Sequence, residues 1–365
     1  MIIKTLKNIN NIDKKAQIDL QINDYINLVN LATGLYQPLK GFCNSKSVHN
    51  IVNFKRLNKN KHWTIPIILN LKPKIKIDFK KFYKLKYKNK IVGLIKPDDV
   101  FELKKNQFCK KIFSTSSKNH PYIKFLYSLK NSFIGGKIYL LEKFLPKDKY
   151  LALNSIKNKG KNIFFKKSVV FSTRNVCHLG HQFIHEFIIS KNKKLTIAVI
   201  ENDKNKFDPK IIIESYNILK KKLGLYKNVK ITKIVLPSFY AGPNEAYLQA
   251  TCFENLGFKG FIVGRDHAGY KNYFKKYESQ NIFDKLKDLK IKIFKTKEPF
   301  LCSKSMKIGF ESSNFCRCKN SKHHLSINGK NIKKMLLKNN FKTSKKFLNP
   351  YILNYLRKNI KKITN

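Results

Sequence analysis

The segment "FSTRNVCHLGHQFIHEF", residues 171–187, places two histidines, His178 and His181, just after the triplet Thr173, Arg174 and Asn175. Three chemistries are open to such a cluster. The imidazoles can ligate a metal, sit satisfied in a core, or flank the phosphates of a nucleotide. Spacing weighs against a zinc pair, because two histidines on one helix usually ligate from positions four apart. Three apart they still share a face. If a helix begins here, its N–H groups and positive dipole end favour an anion, and Gly180 leaves room for a ring or phosphate near the backbone. Histidine and arginine donors held there stabilise charge that develops in a transition state.

Two further polar stretches carry the same kind of signal. "FIVGRDHAG" (261–269) runs from an apolar strand into Gly264, Arg265, Asp266 and His267, followed by Ala268 and a second glycine. "FYAGPNEA" (239–246) has a Gly-Pro turn ahead of a helical pattern. Arg and His donors at such strand ends suit oxyanions. "CSKSMKIG" (302–309) offers a rival, since a lysine-serine loop after an HxGH element is also the pairing of class I aminoacyl-tRNA synthetases. That rival leaves the Thr-Arg-Asn triplet and "GRDHAG" without a role.

These segments need a scaffold that brings strand ends together. Short apolar strands are expected at 168–172, 195–202, 229–237, 260–264 and 291–295, with helices near 178–190 and over 209–223, 244–257 and 279–289. Alternating strands and helices imply right-handed crossovers and a parallel, doubly wound α/β sheet, whose ligands sit at the carboxyl ends of the strands. Before it, "HWTIPIILNL" (62–71), "NKIVGLIK" (89–96) and "GGKIYLLEKF" (135–144) read as strands of a compact, mainly β domain with some helix. A polar linker is expected over 153–167, and two short helices broken at Asn349-Pro350 at the end. The chain thus divides into an N-terminal domain (1–160), a catalytic domain (161–335) and a small C-terminal helical subdomain (336–365).

Lys and Arg number 76 against 22 Asp and Glu, a formal net charge of +54. Such a balance ordinarily marks a nucleic-acid binder, and a noncatalytic basic RNA-binding protein is one reading of it. The lysines, however, are spread evenly among Asn and Ile and arginine is rare, whereas phosphate and base recognition favours clustered arginine forks. The charge still gathers anionic substrates. Seven scattered cysteines and no signal-like or membrane-length apolar run point to a reducing, cytoplasmic setting.

Together, "FSTRNVCHLGH", "FYAGPNEA" and "IVGRDHAG" resemble the ATP sulfurylase (sulfate adenylyltransferase) family, and they occur in the family's order. The similarity reaches "GLYQPLKGF" (34–42), "WTIPIILNL" (63–71), His120-Pro121, "IGGKI" (134–138), "EPFLC" (298–302) and "HLSINGKNIKKML" (324–336). It implies a mainly β PUA-like N-terminal domain followed by a Rossmann-like HxGH nucleotidyltransferase domain, without a kinase domain. The implied reaction is ATP plus sulfate giving adenosine 5′-phosphosulfate and diphosphate, with Mg2+ on the nucleotide. A homo-oligomer is implied, with no specific nucleic-acid partner and no membrane. By the resemblance, Arg174 and the Ala268 backbone hold sulfate, and Thr173, Arg174 and Asn175 line the α-phosphate. His178 and His181 steady the reacting centre, while Gly264, Arg265, Asp266 and His267 hold the nucleotide.

The chain departs from the family at several positions. Ser172 stands where a glutamine is usual, Val176-Cys177 replaces a proline-containing pair, and Phe239 replaces an arginine before "YAGP". Bacterial relatives hold zinc with a Cys-x-x-Cys, a later Cys and a His. Here Cys302 is followed by Ser305, then by Cys316, Cys318 and His323 or His324, so the resemblance implies a lost or weakened zinc site.

Overall fold

A computed structural model of the 365-residue chain describes residues 5–7, 16–72, 76–145, 167–201, 207–310, 316 and 321–363. Apart from Lys167, the linker expected over 153–167 lies outside them. By packing, residues 1–162, 236–257 and 266–292 form one compact unit, and residues 163–235, 258–265 and 293–365 form a second.

The first unit holds strands β1 (Thr5–Leu6), β2 (Gln17–Asp19), β3 (Gly41–Phe42), β4 (Arg56–Asn58), β5 (Lys61–His62), β6 (Leu69–Asn70), β7 (Tyr83–Tyr87), β8 (Lys90–Glu102) and β9 (Ser132–Leu141). Interleaved are helices α1 (Ile22–Ala32), α2 (Ser45–Phe54), α3 (Lys105–Phe113) and α4 (Pro121–Ser128), so the unit is mixed α/β rather than mainly β. Its main sheet runs β1-β9-β8-β7-β2, with β3 and β6 also paired to β9. Strands β7 and β8 turn on Lys88-Asn89, both at positive φ, the backbone that matches a two-residue turn to strand twist. The β8–β9 ladder shifts register between Pro97 and Asp99, where proline has no N–H to give. The expected strand "HWTIPIILNL" is a correction: of it only His62, at the end of β5, and Leu69–Asn70 join a sheet. Its apolar side chains, among them Trp63, Ile65 and Ile67, are buried without a ladder of their own.

The second unit is built on β10 (Ser168–Thr173), β11 (Lys194–Glu201), β12 (Lys230–Val235), β13 (Gly260–Val263) and β14 (Lys292–Lys295), in the order β12-β11-β10-β13-β14. The β10–β11, β11–β12 and β10–β13 pairings are all parallel. Strand interiors such as Val169, Val170, Phe171 and Leu195 through Ile200 are buried, as expected of strands covered on both faces. Helix α5 (Leu179–Ser190) crosses from β10 to β11, and α6 (Pro209–Lys222) from β11 to β12. The helices encoded next, α7 (Pro243–Asn255) and α8 (Glu278–Lys285), group with the first unit. Periodicity reveals that a helix has an apolar side, but not which sheet receives it.

A small antiparallel sheet, β15 (Pro299–Cys302) between β16 (Ile308–Phe310) and β17 (His324–Ser326), lies beside α5. Three helices follow rather than the two expected: α9 (Gly329–Leu337), α10 (Phe341–Ser344) and α11 (Pro350–Lys358). Leu336, Phe347, Leu348, Ile352 and Leu356 from this region join the core of the parallel sheet. None of the described helices is long and apolar enough to cross a membrane.

Candidate active site

Strands β10 and β13 are parallel neighbours, so Thr173 and the Gly264-Arg265 pair leave the sheet at the same edge. The chain turns sharply after β10: the Thr173 hydroxyl oxygen accepts the Asn175 N–H at 3.1 Å. Helix α5 then starts with His178 as its N-cap. The His178 Nδ1 accepts the His181 N–H at 3.2 Å, doing what a Ser or Asp cap does elsewhere. Leu179 donates its N–H to the Phe347 carbonyl at 2.9 Å. Two of the first three N–H groups of the helix are thus taken by the protein, so the helix end is less open to an anion than the sequence led us to expect. The room at Gly180 is filled in the same way, because an added Cβ meets Pro299, Ile327 and the His178 ring at 3.2–3.3 Å.

What the site offers instead is two neutral imidazoles. The His178 and His181 rings stack with centroids 3.7 Å apart and planes inclined by 29°. Burial drives His178 down to about 3. Burial, together with neighbouring His178 and His185, holds His181 well below the ordinary histidine range. A His178 that accepts at Nδ1 and is neutral carries its proton on Nε2. Both rings are therefore neutral rather than cationic at neutral pH, and His178 presents a donor at Nε2.

Around them lie residues to which the sequence reading gave no role. His185, one turn further along α5, is fully buried, and its Nδ1 is 2.9 Å from the Tyr226 hydroxyl. The Tyr216 hydroxyl, on α6, is 3.3 Å from His181 Nδ1. The His-x-x-x-His spacing of 181 and 185 was legible as one helix face; nothing in the sequence singles out Tyr216 among 17 tyrosines. Arg265 Nη1 pairs with Glu298 Oε2 at 2.8 Å, and Glu298 also accepts the Ser326 hydroxyl at 2.9 Å. Asn175 is held by a close approach: a Cβ on Gly329 would come within 2.5 Å of its Oδ1. Ser172 and Arg174 are half-buried at the same strand end.

The remaining motif residues belong to the first unit. There the Gly242 N–H donates to the Ala268 carbonyl at 3.1 Å, so "FYAGPNEA" and "GRDHAG" are joined directly. His267 Nε2 is 2.9 Å from Gln249 Oε1, and the Ser279 hydroxyl donates to the His267 carbonyl. Asp266 is exposed in the turn between them. His120 accepts the Ile123 N–H at its Nδ1 while its Nε2 reaches the Tyr240 carbonyl at 3.1 Å, which anchors the loop before Gly242. That bond explains the His120-Pro121 pair: the histidine caps α4 and ties a site loop at once. Phe239 is buried against the Tyr122 ring, with centroids 5.1 Å apart.

Among the described residues the cysteines do not assemble as a closed metal set. Hydrogen bonds from the Ser305 hydroxyl and backbone bring the Cys302 thiol down to about 6. Cys316 Sγ is 3.5 Å from His324 Nε2, so His324 rather than His323 meets it. Cys318 lies outside the described residues. Ser305 offers a neutral hydroxyl where a structural zinc takes a thiolate, which does not fit a closed four-ligand site. Among the described residues no group of three or more His, Cys, Asp or Glu side chains is arranged to hold a metal.

Comparison with known proteins bears on the whole arrangement. The family model described as ATP-sulfurylase matches residues 150–359, and the one described as PUA-like domain matches residues 4–143. A sulfate adenylyltransferase of Pyrococcus abyssi is 32% identical over 332 residues, covering 89% of this chain and 85% of the relative. Its counterpart from Thermococcus onnurineus is 31% identical over 320 residues, covering 86% and 82%. Among solved structures, a hexameric APS kinase from Thiobacillus denitrificans superposes with a TM-score of 0.66 at 12% identity. The match covers 94% of this chain but 63% of that one, and at this identity it speaks to fold alone.

Proposed function

Because the chain belongs to the ATP-sulfurylase family, we propose that it is a sulfate adenylyltransferase, a nucleotidyltransferase that joins sulfate to the adenylyl group of ATP. A sulfate oxygen attacks the α-phosphorus, the bond to the bridging oxygen breaks, and diphosphate leaves with the electron pair. Sulfate has no proton to lose at neutral pH, so the step needs positioning and charge stabilisation rather than a general base.

The observation that carries this reading is the pair of neutral, stacked histidines at the start of α5. Neutral imidazoles donate hydrogen bonds to the crowded oxygens of the reacting centre and the departing diphosphate. Thr173, Arg174 and Asn175 line the α-phosphate, and Arg174 with the Ala268 backbone holds sulfate. Gly264, Arg265, Asp266 and His267 hold the nucleotide, which enters as its magnesium complex. Glu298 fixes the Arg265 guanidinium, which spares the nucleotide the work of ordering it. The PUA-like domain followed by a Rossmann-like HxGH domain with a small C-terminal helical subdomain, homo-oligomeric assembly and a cytoplasmic location belong to the same proposal.

The reaction conserves every group in both directions, so either sulfate activation or ATP formation runs on this site. The test is phosphate release by the purified chain with ATP, sulfate, Mg2+ and pyrophosphatase, alongside ATP formation from adenosine 5′-phosphosulfate and diphosphate. Sulfate-dependent turnover in the natural chain, lost in His178→Ala, is expected; no turnover above that variant in either direction sinks the reading.

A further inference from the structure

We infer that Tyr216 is a positioning residue for His181: its hydroxyl donates to His181 Nδ1 and thereby keeps the ring in the Nε2–H tautomer, the form that presents a donor to an oxyanion.

The geometry is that of one buried phenol against one buried imidazole. Tyr216 lies on α6 with no exposed surface, and its oxygen is 3.3 Å from His181 Nδ1. Its place on α6 is fixed beside the site turn, since Ser215 Oγ accepts the Cys177 N–H at 3.2 Å. A neutral imidazole has one donor and one acceptor nitrogen, and the partner of one decides the role of the other. If Nδ1 accepts, Nε2 donates. If Nδ1 donated to the phenol oxygen instead, Nε2 would turn a lone pair toward any anion and repel it.

We assign the direction of the bond from the chemistry of its two partners. A neutral imidazole nitrogen is a strong acceptor, and the buried phenol meets it at 3.3 Å. Burial pushes the Tyr216 phenol well above its ordinary range, so its proton is always present to give. His178 reaches the same tautomer by other means, with the backbone N–H of His181 on its Nδ1. A backbone cap orients one histidine and a tyrosine orients the other, and the two stacked rings offer matching donors.

Only the kinetic half of this inference rests on the adenylyl-transfer reading. The test uses the full chain labelled with ring-15N histidine, with His181→Gln to assign the resonance, and long-range 1H–15N spectra of the natural chain and Tyr216→Phe. The natural chain is expected to show His181 protonated at Nε2 alone, and Tyr216→Phe a mixture of tautomers. In the same variant kcat is expected to fall about 10- to 100-fold, the scale of outer partners that orient a histidine, with KM for magnesium-ATP within about twofold. His181 protonated at Nδ1 in the natural chain overturns the inference, whether or not the variant folds. So does an unchanged tautomer in Tyr216→Phe, or a changed tautomer with full kcat. If the tautomers behave as expected but the natural chain turns over nothing, the proposed function falls and the orienting bond stands.

Discussion

His178 Nδ1 and the backbone nitrogen of His181 are 3.2 Å apart, so one imidazole both ends the turn after β10 and begins the helix that carries its partner. Structural and chemical roles are thus combined in one ring, and substitution can separate them. Replacing His178 with alanine removes a helix cap, worth about 1 kcal/mol, and one transition-state donor, worth about 100- to 1000-fold in rate. Asparagine restores a cap with its Oδ1, but its shorter side chain does not bring an amide N–H to the place of the ring Nε2. Denaturant unfolding of His178→Asn should match the natural chain to within about 0.5 kcal/mol, while phosphate release stays as low as in His178→Ala. Recovery of activity in His178→Asn would reduce the ring to a cap.

The buried histidines set an acid limit on stability. His178 and His185 are each driven from 6.5 to about 3, chiefly by burial, and His181 is lowered as well. Below the unfolded value of 6.5 the unfolded chain takes up protons that the folded chain cannot accept. Stability is therefore full above that pH and declines as the pH falls toward about 3, with each such group adding up to about 1.4 kcal/mol per pH unit. Denaturant midpoints between pH 8 and pH 4 should show this slope, and His185→Phe should flatten it. Equal slopes in both proteins would remove His185 from the account.

Arg265 and Glu298 give a prediction about nucleotide affinity. Their ion pair is only partly exposed, and Glu298 is itself held by the Ser326 hydroxyl. Losing a hydrogen bond to a charged group costs about 1.5 kcal/mol at the low end, or roughly tenfold in affinity. Glu298→Ala should raise KM for magnesium-ATP about tenfold with kcat changed by less than about threefold. A fall confined to kcat would place Glu298 elsewhere in the mechanism.

Gly329 tests how tightly Asn175 is placed. A methyl group at 329 comes within 2.5 Å of Asn175 Oδ1 and must push the amide aside. The obstacle is the end of a side chain, and alanine is a better helix former than glycine. Gly329→Ala should leave the melting temperature unchanged or slightly higher while kcat drops about tenfold or more, since small misplacements at a reacting centre are costly. Unchanged kcat would show that Asn175 has no role at the α-phosphate.

The parallel sheet was largely legible in the sequence because strands covered on both faces appear as unbroken apolar runs. The expected strand at 195–202 is Lys194–Glu201 in the structure, and the expected helix at 209–223 is Pro209–Lys222. The middle of "HWTIPIILNL" departs from the expected strand for the same reason, since an apolar run records burial and not hydrogen bonding. Cys43 donates its N–H to the Ile67 carbonyl, and the Trp63 indole donates to the Ile65 carbonyl, so the segment finds its partners singly. The site was legible where residues close in sequence act together, as in 173–181. Tyr216 was hidden, and Glu298, although it opens "EPFLC", had no role assigned, because each reaches its partner across 33 or more residues.

Helices α7 and α8 complete the first unit although they are encoded between strands of the second. Asn244, near the start of α7, donates to the Ile112 carbonyl, and the Thr64 hydroxyl donates to the Asn244 carbonyl. During synthesis the N-terminal unit therefore cannot close when residue 162 appears; it waits for residue 292. At the usual pace of translation, about 5–20 residues per second, that delay is on the order of ten seconds. Through that interval the apolar surfaces that α7 will cover stand open, and the nascent chain has the most to gain from a chaperone.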